Sequence, residues 1–221
     1  KPSTPITTRF SWNFAGEGTS TNENPTQKIS AGKRRITLQA TASNGCIDIL
    51  ERDLDIKPQA TADFDAEDAC EDTFAVFINK TKITSGTANY KWSFGDGKIS
   101  TLDNPDHKYD IGGISKTFNV KMAANIPNGC SDSITKAVTI NAIPKPGFTY
   151  TISGQTVNFT ATETSASNYH WTFGDGGTAN TNNRSKSYTY SKFPSGKYTA
   201  CLTTTNIAGC SSDSCMEIFI S

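Results

Sequence analysis

Short stretches in which apolar and polar residues alternate run along the whole chain. In segment 116–122, Phe118, Val120 and Met122 alternate with polar side chains, which predicts a strand with one buried face. Turn-forming Gly, Asn and Ser separate such stretches, and no segment shows the i, i+3, i+4, i+7 apolar spacing of an amphipathic helix. The pattern therefore predicts an all-β protein.

Aromatic clusters recur along the chain at a nearly constant spacing. Trp12, Trp92 and Trp171 each lie in an aromatic-x-Trp-x-Phe segment, and the tryptophans are 80 and 79 residues apart. A Gly-Cys pair keeps the same register in all three copies, at Cys46, Cys130 and Cys210. A period of this length indicates an array of similar modules, each large enough for its own core.

Proline-containing linkers predict where the repeats end, because proline lacks an amide donor and stops strand pairing. The three repeats are then 1–57, 58–144 and 145–221. In the second repeat, alternation predicts about seven strands, near residues 61–64, 74–79, 89–94, 98–100, 107–109, 117–123 and 135–141. The first repeat has only nine residues before Phe10, so its opening strands are missing or lie upstream, and the half-domain is expected to expose core residues.

The most specific motif is Trp92-Ser93-Phe94-Gly95-Asp96-Gly97, which returns with Thr at its second position at 171–176. Side chains at i and i+2 of a strand share one face, so the aromatic residues are expected in a sandwich core. The predicted core anchors are Trp12, Trp92, Phe94, Trp171 and Phe173. Asp96 and Asp175 lie between glycines and are predicted to cap backbone N–H groups of tight turns, not to catalyse a reaction.

These residues resemble the PKD (polycystic kidney disease) repeat, whose signature is an aromatic-x-Trp-x-Phe-Gly-Asp-Gly segment. The segment 104–109, Asn-Pro-Asp-His-Lys-Tyr, is similar to that family's Asn-Pro-x-His-x-Tyr motif. The first repeat departs from the signature, with one extra residue and Glu17 in place of the aspartate. The resemblance implies tandem Ig-like β-sandwich domains that act as spacer, stalk or adhesive modules of a bacterial cell-surface or secreted protein.

Charge and composition narrow the function further. The 21 basic and 21 acidic residues balance to a net charge of zero, which argues against nucleic-acid binding. Two histidines make a catalytic triad or a His-based metal site hard to assemble, and no apolar run is long enough to span a membrane. We expect no cofactor; a calcium loop is the minor alternative to a solvated acidic loop at Asp63, Asp65, Glu67 and Asp68.

Six cysteines in an all-β chain indicate an oxidising compartment, and hence an extracellular or cell-surface location. A Cys70–Cys130 disulfide is predicted, since the loops that carry both residues are expected at the same end of the sandwich. A Cys201–Cys215 disulfide is predicted because antiparallel pairing about Ala208 places the two residues opposite each other. The pattern assigns no partner to Cys46 or Cys210.

These features favour one of three classes of function. The favoured one is a non-catalytic structural or adhesive array whose partners are other domains of the same longer chain, a surface protein or a polysaccharide. The alternative is a carbohydrate-binding accessory module of a secreted hydrolase, which requires a row of exposed aromatic side chains. The candidates are Tyr188 or Tyr190, and Phe193. An enzyme is disfavoured because no catalytic constellation is visible.

Overall fold

A computed structural model of the protein describes residues 7–191 and 195–220. Within these ranges the chain forms strands and turns and no helix, and so no helix that is long and apolar enough to cross a membrane. The strands of the described residues are β1 (Thr8–Phe14), β2 (Thr19–Ser20), β3 (Gly32–Ala42), β4 (Ile47–Ile56), β5 (Ala60–Thr61), β6 (Phe64–Ala66), β7 (Ala69–Cys70), β8 (Phe74–Asn79), β9 (Lys82–Ile83), β10 (Asn89–Ser93), β11 (Ile99–Ser100), β12 (Asp106–Lys108), β13 (Lys116–Asn125), β14 (Asp132–Asn141), β15 (Phe148–Ser153), β16 (Thr156–Ala161), β17 (Asn168–Thr172), β18 (Thr178–Thr181), β19 (Ser185–Thr189), β20 (Gly196–Thr205) and β21 (Ser211–Ile220).

The chain divides into two compact units that do not follow the sequence repeats. One unit comprises residues 1–65, 77–105 and 120–136, and the other comprises residues 66–76, 106–119 and 137–221. The second repeat therefore contributes segments to both units, whereas the first and third repeats each lie within one unit.

The first repeat forms a single antiparallel sheet with the strand order β2-β1-β3-β4. The register pairs Trp12 with Leu38 and Leu38 with Leu50, so these apolar side chains share one face. Each of the other two repeats contains a second sheet against which the equivalent face packs. Among the described residues, no second sheet packs on this face of the first repeat.

The aromatic core of the second repeat follows from the alternation along its strands. Its sheets have the orders β11-β10-β13-β14-β7 and β12-β8-β6. The Phe64 ring of β6 meets the Trp92 ring of β10 edge to face at 5.1 Å, and the Phe77 and Phe94 rings lie 5.3 Å apart. These four side chains are at most 2% exposed, because each points inward from its strand.

The third repeat closes in the same way. Its two sheets have the orders β15-β16-β19 and β18-β17-β20-β21. Phe148 and Phe159 lie 5.2 and 5.4 Å from the Trp171 ring, which is fully buried. The predicted fold class, tandem β-sandwich domains, is confirmed.

Two short strands were not anticipated from the sequence. β7 pairs in parallel with the end of β14, with Cys70 opposite Asn141, and β9 pairs with β5. Strands of two residues have no measurable alternation, so their pairing depends on the surrounding fold. The placement of β7 decides the disulfide pattern described below.

Candidate functional site

The most unusual surface is the apolar face of the first sheet, which we call the open face and define by Trp12, Ile36, Leu38, Leu50 and Leu54. These side chains and Arg52 line a groove of about 320 Å³. Leu50 is 55% and Leu54 39% exposed, whereas Trp92 and Trp171 of the closed repeats are fully buried. A contiguous exposed apolar surface of this kind is typical of an interaction site.

The indole N–H groups of the three tryptophans differ in their hydrogen bonds. Trp12 donates to the carbonyl of Asn22 at 3.0 Å, and Trp92 donates to the carbonyl of Leu102 at 2.9 Å, ten residues onward in both cases. The buried Trp171 N–H has no acceptor among the described residues. The two closed cores are therefore not equivalent at their central side chain.

We expect Trp92→Phe to lower the unfolding free energy by about 1 kcal/mol more than Trp171→Phe does. Both changes remove similar apolar volume, but the first also breaks a hydrogen bond, while the second removes an unpaired donor. Hydrogen exchange along a denaturant series reports the stability of each repeat separately. Equal losses in the two repeats would contradict this expectation.

The two glycine-flanked aspartates lie in tight turns. Asp96 Oδ1 accepts the Lys98 N–H at 2.9 Å, and Asp175 Oδ1 accepts the Gly177 N–H at 2.9 Å. Asp175 also receives the Tyr188 hydroxyl at 2.9 Å to Oδ2. Both carboxylates therefore act as backbone acceptors, and we expect Asp175→Ala to cost about 1 kcal/mol while Asp175→Asn costs little.

The tyrosines proposed as exposed sugar-binding residues are packed instead. Tyr190 is fully buried and donates its hydroxyl to the Phe173 carbonyl at 2.9 Å. The Tyr188 ring stacks on Phe173 with the centroids 3.8 Å apart. Phe193, the third candidate, lies outside the described residues. The row of exposed aromatic side chains is therefore absent from residues 185–190, because Tyr190 is in the core of the third repeat and the partly buried Tyr188 packs against that core.

The buried Tyr190 and the partly buried Tyr188 predict a loss of stability at alkaline pH. Burial, and then the hydrogen bond to Asp175, raise the pKa of Tyr188 above its ordinary value, and burial raises the pKa of Tyr190. In the unfolded chain both phenols ionise near pH 10. The folded state holds its protons more tightly, so their contribution is fully present below pH 10 and is lost as pH rises toward the folded pKa.

We expect Tyr188→Phe to flatten the decline of the third repeat's unfolding free energy as the pH rises above about 10. Asp175→Asn is the second variant, because it removes the charge that favours the neutral phenol but keeps an acceptor oxygen. Urea titrations at several pH values measure the slope. A slope unchanged in both variants would show that Tyr188 does not contribute.

The acidic stretch is engaged by lysines and backbone groups. Asp63 lies 2.8 Å from the Lys136 ammonium, which holds the pKa of that carboxyl below its usual range. Asp65 lies 3.7 Å from Lys80, and Asp68 accepts the Thr139 N–H at 2.7 Å. Glu67 is exposed. Among the described residues, no three His, Cys, Asp or Glu side chains are grouped so as to hold a metal ion.

The disulfide pattern corrects one prediction. Cys70 is bonded to Cys210, with the Cα atoms 5.6 Å apart, so the predicted Cys70–Cys130 bond is wrong. Cys70 pairs with Asn141 at the end of β14, whereas Cys130 precedes the start of that ten-residue strand, about 30 Å away along it. The predicted pair Cys201 and Cys215 is joined, across directly opposed strand positions.

Other exposed apolar side chains were not singled out from the sequence. Phe74, Val76 and Ile78 are 59%, 58% and 46% exposed on β8, where they alternate with buried Ala75 and Phe77. The alternation predicts that these residues share one face, but an apolar residue at both parities gives no sign of which face is buried. They form a second apolar row at the surface.

The comparison with protein families decides the family of this chain. The model of the PKD domain matches residues 55–142 and 144–220, about three quarters of the chain. The chain belongs to the PKD domain family. The predicted resemblance is thereby confirmed, and the two matched PKD regions contain the second and third aromatic cores.

Solved structures of PKD domains and of a bacterial adhesin are similar to this chain. The PKD1 domain of the Vibrio cholerae metalloprotease PrtV is 25% identical over 36% of this chain and 98% of that chain, with a TM-score of 0.33. The PKD1 domain of Vibrio anguillarum Epp is 22% identical over 37% of this chain and 96% of that domain, with a TM-score of 0.34. A bacterial ice-binding adhesin is 12% identical over 98% of this chain and 86% of that chain, with a TM-score of 0.40.

Proposed function

We propose that the chain is a non-catalytic PKD array of a bacterial cell-surface or secreted protein, and that its repeats act as spacer, stalk or adhesive modules. Membership of the PKD family supports this role, because PKD domains are generally non-catalytic modules. The two disulfides support an oxidising, extracellular location. Its partners are other domains of the same protein, together with a surface protein or a polysaccharide.

The observation that carries the proposal is the disulfide between consecutive PKD regions. Cys70 belongs to the region 55–142 and Cys210 to the region 144–220. The Asn206 side-chain amide adds a hydrogen bond to the Ala142 carbonyl at 2.9 Å in the same junction. A junction held both covalently and by hydrogen bonds suits a spacer, which must keep successive modules in a fixed arrangement.

Small-angle scattering tests the spacer role. We expect a single narrow distribution of intramolecular distances for the native chain and a broader one for the Cys70→Ser/Cys210→Ser variant. Cys201→Ser/Cys215→Ser is the matched control, because it removes a disulfide within one sheet and should leave the distribution unchanged. Equal distributions in all three proteins would contradict the spacer role.

Binding assays separate the adhesive role from the alternative of a sugar-binding accessory module. The native chain is passed over immobilised polysaccharides and over extracellular protein mixtures. Retention on a polysaccharide that is lost in Phe74→Ser or Phe219→Ser would favour the accessory module, since these are exposed aromatic residues of the described chain. Retention on proteins alone supports an adhesive role.

A further inference from the structure

The second and third repeats show how the face equivalent to the open face is covered, because in each of them a second sheet packs on it. Trp12 corresponds to Trp92 and Trp171 in the repeat register, and Leu38 corresponds to Met122 and Leu202. In the closed repeats these positions are fully buried. In the second repeat the covering rings are Phe64 of β6 and Phe77 of β8, and in the third they are Phe148 and Phe159.

A second observation within the first repeat also indicates an uncovered face. In the second repeat, β12 (Asp106–Lys108) exists as a strand through its pairing with β8. The equivalent residues, 80 positions earlier at 26–28, are described but form no strand. This is the result expected when no strand corresponding to β8 lies beside these residues, and the described part of the chain contains none there.

The junctions between repeats give a third and independent observation. In the closed junction, the Asn206 side chain donates to the Ala142 carbonyl, two residues after Ile140. In the first junction, the Cys130 N–H donates at 2.8 Å to the Pro58 carbonyl, two residues after Ile56. The Gly-Cys turns of the second and third repeats therefore lie against the same point of the linker that precedes each repeat.

The cysteines of these two turns differ in their bonding. Cys210 is 1% exposed and bonded to Cys70, which β7 places opposite Asn141. Cys130 is exposed and unpaired. The residue that corresponds to Asn141 is Lys57, next to the end of β4, and β4 has no strand on its outer edge among the described residues. A cavity of about 550 Å³ opens beside Ile56, Lys57 and Gln59.

We propose that the open face is the docking site of a β-segment that precedes Lys1 in the same polypeptide, and that a cysteine of this segment forms a disulfide with Cys130. In both closed repeats the strands that carry the covering rings come before the tryptophan strand along the chain, as β6 and β8 precede β10. The cover of the first repeat therefore lies before Thr8. Its inner face carries aromatic side chains, and its cysteine lies on a short strand parallel to the end of β4.

Formation of this bond is a thiol–disulfide exchange. The thiolate of one cysteine attacks a small-molecule disulfide, and the second thiolate then displaces the thiol of the resulting mixed disulfide. The two cysteines lose two protons and two electrons, and the oxidant is reduced to two thiols. The same class of oxidant serves for the two disulfides that the chain already contains.

The proposal can be tested by grafting the covering strands of the second repeat onto the first repeat. A copy of residues 58–87, which contains β6 to β9, is fused directly ahead of Thr8, so that its spacing to Trp12 equals the native spacing to Trp92. We expect non-reducing peptide mapping to find the copied cysteine bonded to Cys130. Amide exchange in residues 47–57 should slow by about tenfold or more as the face is covered.

Two control grafts separate docking from disulfide formation. With Cys70→Ser in the copy, exchange in 47–57 should still slow, since the aromatic contacts remain. With Phe64→Ser and Phe77→Ser in the copy, protection should be lost. The Cys201–Cys215 bond of the third repeat reports in each case that the remainder of the chain has folded.

Two results would overturn the proposal. The first is a copied cysteine that stays free or bonds to Cys46 while exchange in 47–57 is unchanged. The second comes from the ungrafted chain in sedimentation experiments: a stable dimer that is abolished by Leu50→Asp would show that a second copy, and not a preceding segment, occupies the open face.

Discussion

Replacement of Trp92 or Trp171 by alanine is expected to lower the unfolding free energy of its repeat by about 3–5 kcal/mol. Both indoles are fully buried among aromatic rings, so truncation leaves a cavity that the surrounding sheets cannot close. A loss of this size is a large share of the stability of a small domain. Amide exchange in each repeat along a denaturant series measures it.

Trp12→Ala is the matched control, since it changes the same motif position in a repeat whose face is open. Trp12 is only half-buried, and we expect a cost of about 1 kcal/mol. A cost as large as that of the closed repeats would show that Trp12 is covered in solution. The proline linkers predict little effect of each change on neighbouring repeats, and the Cys70→Ser/Cys210→Ser background tests whether the disulfide adds coupling.

Removal of the Cys70–Cys210 disulfide is expected to have the other large effect. The bond closes a loop of 140 residues, and chain entropy predicts a loss of about 5 kcal/mol when the whole loop unfolds. The Cys201–Cys215 bond closes 14 residues, for which the same calculation gives about 3 kcal/mol. Denaturant unfolding of the two double serine variants compares them directly. A greater loss from the short loop would contradict the entropic account.

The predictable parts of this fold are those that repeat. The register of Trp12, Trp92 and Trp171 placed three equivalent strands, and alternation around Phe118 gave the correct inner face of β13. These signals are local, because a strand with one buried face has apolar residues at every second position of its own sequence.

The parts that could not be predicted depend on long-range placement. The predicted partner of Cys70 was wrong because β7 is only two residues long, so its sequence does not show where it pairs. Its pairing in the structure, with Cys70 opposite Asn141, places β7 at the end of β14 that is far from Cys130. The packing of Tyr188 and Tyr190 was missed for a related reason. Tyr188 lies in β19 and Tyr190 directly follows it, and both side chains lie on the inner face of the sheet. The other residues of this segment are polar, so the local sequence does not show which face is buried.

The site residues divide in the same way. A turn aspartate between two glycines has its partner two residues away, as Asp96 has in Lys98, so sequence alone identifies the role. The Tyr188 hydroxyl bonds Asp175 from 13 residues away, and no motif announces it. The extent of the open face could not be predicted from the sequence either. Leu50 and Leu54 resemble core leucines in the sequence, and only the structure shows that their face is exposed.

The 140-residue disulfide loop has a mechanical consequence. If the two ends of this chain are pulled apart, tension enters Cys70 and leaves through Cys210, because the sulfur–sulfur bond is the shortest covalent path. The residues between them, which include Trp92 and Trp171, are not on this covalent path. About 450–500 Å of contour length is thereby withheld from extension. Reduction of one bond releases that length, so the thiol redox state sets how far the array yields under shear.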